Sequence, residues 1–214
     1  MVVLIGIVFV LSAGVAMGAQ QLVSTHTLVV RIPENKILWR AKDVAGSHTI
    51  VGDPTQMGAS WRLKLVPGGE QCFTMPSPGW APIGSIGYQY SDPNFNNGPV
   101  QRARIKLSPT GTFLIKVLIT NKGGHPVTIV PGQPTLSYEA NFTVHSGDEY
   151  CSGTGTVPPK RNDGTKFHVS HDTAPLSCPI TPCAPCGTVS APSCDDGLCP
   201  TGICNNGGGF CACF

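Results

Sequence analysis

The sequence is poor in charged residues and lacks any long helical pattern. Lys, Arg, Asp and Glu together make up 12% of its 214 residues, whereas Gly and Pro number 26 and 20. No stretch of ten or more residues repeats its apolar positions with a period of 3.6, which excludes an α-helical bundle. So many turn-forming residues and so few charges favour short strands joined by tight turns.

The sequence also lacks the large basic excess that is typical of nucleic-acid-binding proteins. Its formal net charge is only +2 at pH 7, which predicts no nucleic-acid partner. Nucleotide-binding and hydrolase fingerprints are missing too, because there is no P-loop and Ser85 has Ile83 instead of glycine two positions before it. We therefore expect no cofactor and assign no catalytic residue.

An apolar leader opens the chain, although no Lys or Arg precedes its hydrophobic run. The run extends from Val2 to Met17 and ends in small residues, which predicts a signal peptide at 1–19. A retained membrane anchor is the alternative, but this run is shorter than the roughly 20 residues that a spanning helix needs. No comparable run follows, so we expect a secreted or cell-surface protein with no membrane span once the leader is removed.

Alternation of apolar and polar residues predicts strands throughout a β-rich domain at 20–177. Residues 136–144 alternate over their whole length, which indicates one half-buried strand. In residues 112–119 the odd and the even positions are both apolar, apart from Lys116. This pattern predicts a central strand covered on both faces. The predicted fold class is all-β, an antiparallel sandwich or barrel. Further strands are predicted at 28–32, 36–41, 61–65, 71–74, 87–90, 103–107, 127–130 and 166–169.

Cysteines are concentrated near the end of the sequence, in a predicted disulfide-rich tail at 178–214. Disulfides persist in oxidising compartments and fold segments that have no core, so we expect a tail that is a structural unit independent of the body. The last five cysteines resemble in spacing the first five of an epidermal-growth-factor-like module, and the sixth is absent. The connectivity therefore stays open. The tail cysteines are Cys178, Cys183, Cys186, Cys194, Cys199, Cys204, Cys211 and Cys213.

Several other patterns have a structural explanation, and from them we predict no metal site. His168 and His171 on one strand point to opposite faces, and the adjacent Asp148 and Glu149 diverge in the same way. Asn141 begins a glycosylation sequon at a solvent-facing position, where we expect no glycan. Aromatic residues at alternating positions are expected in the core, with a sugar-binding surface as the alternative. They are Trp39, Trp61, Trp80, Tyr88 and Tyr90.

Short motifs along the body resemble a family of uncharacterised secreted bacterial proteins, which are β-rich and often end in cysteine-rich tails. The resemblance covers most of 28–180 and implies an extracellular β-domain, with no activity to transfer. Members often carry a further cysteine pair in the central strands, which this chain lacks. The resemblance therefore implies that Cys72 and Cys151, the two cysteines of the body, pair with each other. The motifs are GDP at 52–54, GASWRL at 58–63, CFTMP at 72–76, GW at 79–80, GYQYSD at 87–92 and GDEYC at 147–151.

Taken together, these features predict a secreted non-catalytic protein that serves as an adhesion, envelope or interaction module. Its expected partner is an extracellular protein or a glycan. The alternative is a secreted enzyme, a hydrolase whose site is built from loops between strands. Convergence of His, Asp and Glu side chains in one pocket would favour that enzyme.

Overall fold

The computed structural model describes residues 18–183, apart from 33, 45, 133 and 154–156. The predictions for the signal peptide and for the six cysteines from Cys186 onward concern residues outside this range. Within it, two largely antiparallel sheets pack face to face as a β-sandwich, which confirms the all-β fold class. In the described part of the chain, no helix is long and apolar enough to cross a membrane.

Thirteen strands and one short α-helix make up the described fold, together with a 3-10 turn at Ser77–Gly79. No strand is longer than eight residues, and long connections follow β3 and β9. In chain order the elements are β1 (Gln20–Leu22), β2 (Thr25–Arg31), β3 (Lys36–Asp43), α1 (Pro54–Met57), β4 (Ala59–Val66), β5 (Gly69–Met75), β6 (Trp80–Pro82), β7 (Gly87–Ser91), β8 (Val100–Leu107), β9 (Phe113–Thr120), β10 (Ser137–Val144), β11 (Glu149–Gly153), β12 (Arg161–Asn162) and β13 (Lys166–Asp172).

The strands form a smaller and a larger sheet. The smaller sheet has the order β1-β11-β10-β4-β5, and in it β1 runs parallel to β11. The larger sheet has the order β12-β13-β2-β3-β9-β8-β7-β6, with antiparallel neighbours throughout. Each sheet therefore has one face on the core and one outer face.

Aromatic rings link the two sheets across the core. Trp39 of β3 stacks on Trp61 of β4 with ring centroids 5.5 Å apart, and Trp61 lies 5.7 Å from Phe73 of β5. All three rings are buried. The prediction that the alternating aromatic residues belong to the core is confirmed, because Trp80 and Tyr90 are also buried and Tyr88 packs against the core cluster.

Two of the predicted strands differ in the structure. Residues 127–130 form no strand, because the side chain of Gln71 takes hydrogen bonds that a backbone ladder would make: Oε1 accepts from Thr128 N at 2.8 Å, and Nε2 donates to the Pro126 carbonyl at 2.9 Å. The expectation that 112–119 is covered on both faces is wrong as well. In β9, Leu114 and Leu118 are only half-buried and Lys116 is exposed.

Replacing Trp39 by Ala should lower the free energy of unfolding by about 3–5 kcal/mol, because a large ring that joins the two sheets is lost from a closed core. Trp39→Phe keeps an aromatic ring and should cost less. Urea unfolding of the oxidised protein measures both changes. Val44 is 70% exposed, so Val44→Ala serves as the control. A similar loss in the control and in Trp39→Ala would contradict the assignment.

Candidate functional site

The first two tail cysteines are bonded to the sandwich. Cys178 pairs with Cys151, and Cys183 pairs with Cys72. The predicted Cys72–Cys151 disulfide is therefore wrong. These cysteines lie on β5 and β11, with β4 and β10 between them, so three strand spacings of about 4.8 Å separate them. A disulfide requires Cα atoms within about 7 Å.

Residues 178–183, here called the strap, cross the outer face of the smaller sheet. The strand register places Cys151, Asn141, Arg62 and Cys72 side by side on four neighbouring strands. Six extended residues reach about 20 Å, which is enough to pass over this row. The expected independence of the tail therefore does not hold for 178–183, because these residues are covalently part of the sandwich.

Two side chains of the sheet hold the strap between its disulfides. Asn141 Nδ2 donates to the Ile180 carbonyl at 3.3 Å, and Arg62 Nη1 donates to Thr181 Oγ1 at 2.8 Å. Arg62 also forms an ion pair with Glu70. Asn141 is only 1% exposed, although its parity faces away from the core. The strap thus covers the sequon asparagine and uses its amide group.

A second cluster surrounds the buried carboxylate of Asp148. Its oxygens accept from Ala19 N at 2.9 Å, Val51 N at 2.8 Å, Thr49 Oγ1 at 2.9 Å and Gln21 Nε2 at 2.6 Å. These donors satisfy the carboxylate within the protein, as burial of such a group requires. The cluster fastens β1 and the 46–51 loop to the beginning of β11.

The phenol of Tyr150 completes this cluster. It donates to the Thr49 carbonyl at 2.8 Å and lies 3.3 Å from Asp148 Oδ2. Burial and the adjacent carboxylate raise the pKa of Tyr150 above its usual value. The phenol therefore keeps its proton at neutral pH and acts as a hydrogen-bond donor.

His48 connects this cluster to Asp43 at the end of β3. Its Nε2 lies 3.0 Å from Asp43 Oδ2, and its Nδ1 lies 3.3 Å from Gln21 Oε1. The orientation of the Gln21 amide is fixed by Thr49 N, which donates to Oε1 at 3.0 Å. Both ring nitrogens of His48 therefore face side-chain oxygens of the network. Both nitrogens are thus engaged within the network, and neither is placed against a nucleophile.

Histidine and acidic side chains thus do converge here, as an enzyme would require, but in a structural network. In the described part of the chain, no hydroxyl or thiol is hydrogen-bonded to His48. Burial tends to raise the pKa of Asp43, but hydrogen bonds from His48 and Ser24 outweigh it and hold that pKa below its usual range. The network stabilises a fold in which Asp43 is charged.

The other candidate residues are not brought together as a metal site. The ring of His171 lies 4.7 Å from that of His26, whereas His168 is paired with Val29 and Arg161 in the sheet. Within 18–183, one group has metal-ligand geometry: Glu149, Cys151 and Cys178. Two of its members are joined in a disulfide, and a disulfide offers no thiolate to a metal.

Positive charge is concentrated on the outer face of the larger sheet. Arg40 of β3 lies opposite Lys116 of β9, which in turn lies opposite Arg104 of β8. Three cations are therefore direct cross-strand neighbours. We call the following six side chains the basic face: Arg40, Lys42, Arg102, Arg104, Lys106 and Lys116.

Within the described residues, no acidic side chain is paired with the basic face. The one acidic residue in its three strands is Asp43, which is paired with His48. Among the described residues, no carboxylate oxygen lies within 4.0 Å of any of the six cations. Burial, together with the neighbouring Arg40 and Lys42, lowers the pKa of His26 beside this surface.

A shallow trough of about 360 Å³ lies on the basic face. Arg102, Arg104 and Lys116 supply its charges, and Arg104 Nη2 donates to Gln89 Oε1 at 3.3 Å. The half-buried Leu114 adds apolar surface between its charged neighbours. The remaining lining residues are Ser91 and Leu118, together with Tyr90 and Ala103, whose own side chains are buried in the core. Sequence reasoning missed this site because the net charge of +2 conceals how the cations are distributed.

Removing either strap disulfide should destabilise the sandwich, and the longer loop should matter more. The sequence separations are 111 residues for Cys72–Cys183 and 27 for Cys151–Cys178. Loop-closure entropy predicts losses of about 4.8 and about 3.6 kcal/mol for the double Cys→Ala variants. Urea unfolding measures both losses, and non-reducing peptide mapping checks the pairing. Recovery of a Cys72–Cys151 peptide would contradict this structure.

Asp43→Asn should destabilise the protein at neutral pH, and the difference from wild type should shrink on acidification. The folded-state pKa of Asp43 is below the ordinary 3.8. The contribution of its charged form is therefore complete above that value and is lost as the pH falls through the folded pKa. Unfolding measured between pH 6 and pH 2.5 tests this expectation. Glu34→Gln, which breaks an exposed pair with Arg31, is the control and should change little.

The geometry thus offers one covered face, one satisfied polar network and one open basic face. No known protein family, curated protein or solved structure matches this chain.

Proposed function

We propose that this protein is a secreted, non-catalytic interaction module that works outside the cell or at its surface. Two disulfides join the strap to the smaller sheet, and disulfides of this structural kind persist in oxidising compartments. The cysteine-rich segment that follows Cys183 is thereby attached to a rigid β-sandwich. This arrangement suits a protein that has to hold its shape without cellular repair.

The basic face is the observation that carries the proposal. Arg102, Arg104 and Lys116 are exposed on this face and its other three cations are half-buried, and none has an acidic partner within the described residues. Exposed charged residues that the fold does not use are characteristic of binding surfaces. The face also lies on the side of the sandwich away from the strap, so a bound partner leaves the strap undisturbed.

A secreted hydrolase is the second candidate, and the Asp43–His48 pair is the observation that favours it. The pair has the acid–imidazole geometry of a catalytic dyad, at 3.0 Å. However, Gln21 Oε1 lies against Nδ1, the ring nitrogen that would have to contact a nucleophile. The interaction module is therefore preferred.

The proposal is tested with the chain secreted from an expression host with its disulfides formed. An array of glycans and extracellular proteins should yield a ligand, while chromogenic ester, glycoside and peptide substrates should stay intact. His48→Ala should retain any binding that the wild type shows. Hydrolysis by the wild type that is abolished in His48→Ala would refute the proposal and establish the hydrolase.

A further inference from the structure

We propose that the basic face binds a linear acidic polysaccharide, whose carboxylate or sulfate groups pair with the cations of β3, β9 and β8. This inference rests on the proposed function and names the ligand class. Three features of the face favour such a ligand: the layout of its cations, the cost of that layout to the fold, and the chemistry of the trough.

The cations form a two-dimensional grid that suits a polymer better than a small anion. Arg102, Arg104 and Lys106 follow one another along β8 at alternate positions, which places them about 7 Å apart. Across the strands, Lys116 has Arg40 on one side and Arg104 on the other, at about 5 Å between Cβ atoms. A small anion would contact one or two of these groups, whereas a chain of regularly spaced anionic groups can contact the whole grid.

The row of Arg40, Lys116 and Arg104 works against the stability of the sheet. Like charges that are direct cross-strand neighbours repel each other, and an acidic or neutral residue at the central position would relieve this. Residue 116 is exposed, so packing does not require a lysine there. The three charges therefore lower the stability of the sheet. Natural proteins give up stability at functional sites, so such charges indicate a binding role.

The trough also supplies the other contacts that a sugar chain needs. Arginine guanidinium groups form paired hydrogen bonds with carboxylate and sulfate oxygens. Gln89 and Ser91 lie on the exposed rim beside Arg104 and Arg102 and can bond hydroxyl groups. Leu114 offers the apolar surface that the non-polar face of a sugar ring requires.

Nucleic acid and anionic membranes fit this face less well. No aromatic side chain occupies an outward position of β3, β8 or β9, so unpaired bases have nothing on which to stack. A broad sheet cannot enter the major groove, which admits a helix or a two-stranded ribbon. The exposed large apolar side chains of the described residues lie outside these strands, so none is placed to insert into a bilayer from this face. They are Val44, Met57, Val130, Leu136 and Leu176.

The test compares two variants that lose the same charge at different places. Arg102→Gln, Arg104→Gln and Lys116→Gln are combined in one variant of the basic face. Lys64→Gln, Lys122→Gln and Lys160→Gln are combined in a control variant, whose changed residues lie outside β3, β8 and β9. Binding is measured by biolayer interferometry to polygalacturonate, which carries carboxylates, and to dextran sulfate, with neutral dextran as the reference.

We expect the wild type to bind at least one of the two polyanions and to show no binding to neutral dextran. The basic-face variant should bind at least about tenfold more weakly, since three of the cations that pair with the polymer are lost. The control variant should stay within about twofold of the wild type, and added salt should weaken binding. The polyanion that binds more tightly shows whether the face prefers carboxylate or sulfate groups.

Lys116→Glu separates binding from folding. The new carboxylate would lie between Arg40 and Arg104, so binding should fall while the melting temperature stays the same or rises. A lower melting temperature would overturn the argument that the row opposes stability, and with it the inference. Because the two measurements are expected to move in different directions, general unfolding cannot imitate the expected result.

Three results would overturn the inference: no binding to either polyanion, an equal loss in the control variant, or tighter binding to an oligothymidylate or to phosphatidylglycerol vesicles. The proposed function fails on different evidence. If the wild type binds a ligand on the array but neither polyanion, the interaction module stands and the polysaccharide inference falls. If His48-dependent hydrolysis is found, the module itself falls.

Discussion

Successive side chains of a β-strand point to opposite faces, and the main features of this protein depend on that constraint. On β4 it sends Trp61 into the core, against Trp39, and Arg62 outward to the strap. On β9 it buries Val117 and leaves Lys116 in solvent between two arginines. The core and both outer faces therefore follow from the same alternation, applied to two sheets of different composition.

The same alternation explains what the sequence predicts well and what it does not. Period-two patterns locate most strands and identify the buried aromatic residues, because both depend on local spacing. The cysteine pairing depends on the order of strands in space, where β10 and β4 separate Cys151 from Cys72. No local pattern encodes that order. Asn141 shows the same limit. The alternation correctly predicts that its side chain faces away from the core, but it cannot show that the strap covers that side chain.

The candidate site escapes sequence reasoning for a related reason. Arg40, Arg104 and Lys116 come from three separate strands, and nothing in the sequence shows that they are neighbours. The His48 network is equally non-local, because its members come from β1, β3 and the turn before β11. Both sites combine residues from distant segments, yet only the network is satisfied internally. The cations of the basic face still have no acidic partners among the described residues.

The strap also determines how the molecule carries mechanical load. Tension on the chain beyond Cys183 enters the sandwich through the sulfur bond to Cys72 on β5. The residues between these two cysteines form a covalently closed loop, which tension cannot extend. This loop contains β6 to β13 and the second disulfide. Among the described residues, a pull between the two ends of the chain can therefore extend only the segment before Cys72. The strap thus shields the basic strands β8 and β9 from tension, whereas β3 lies outside the loop and is held by its neighbours alone.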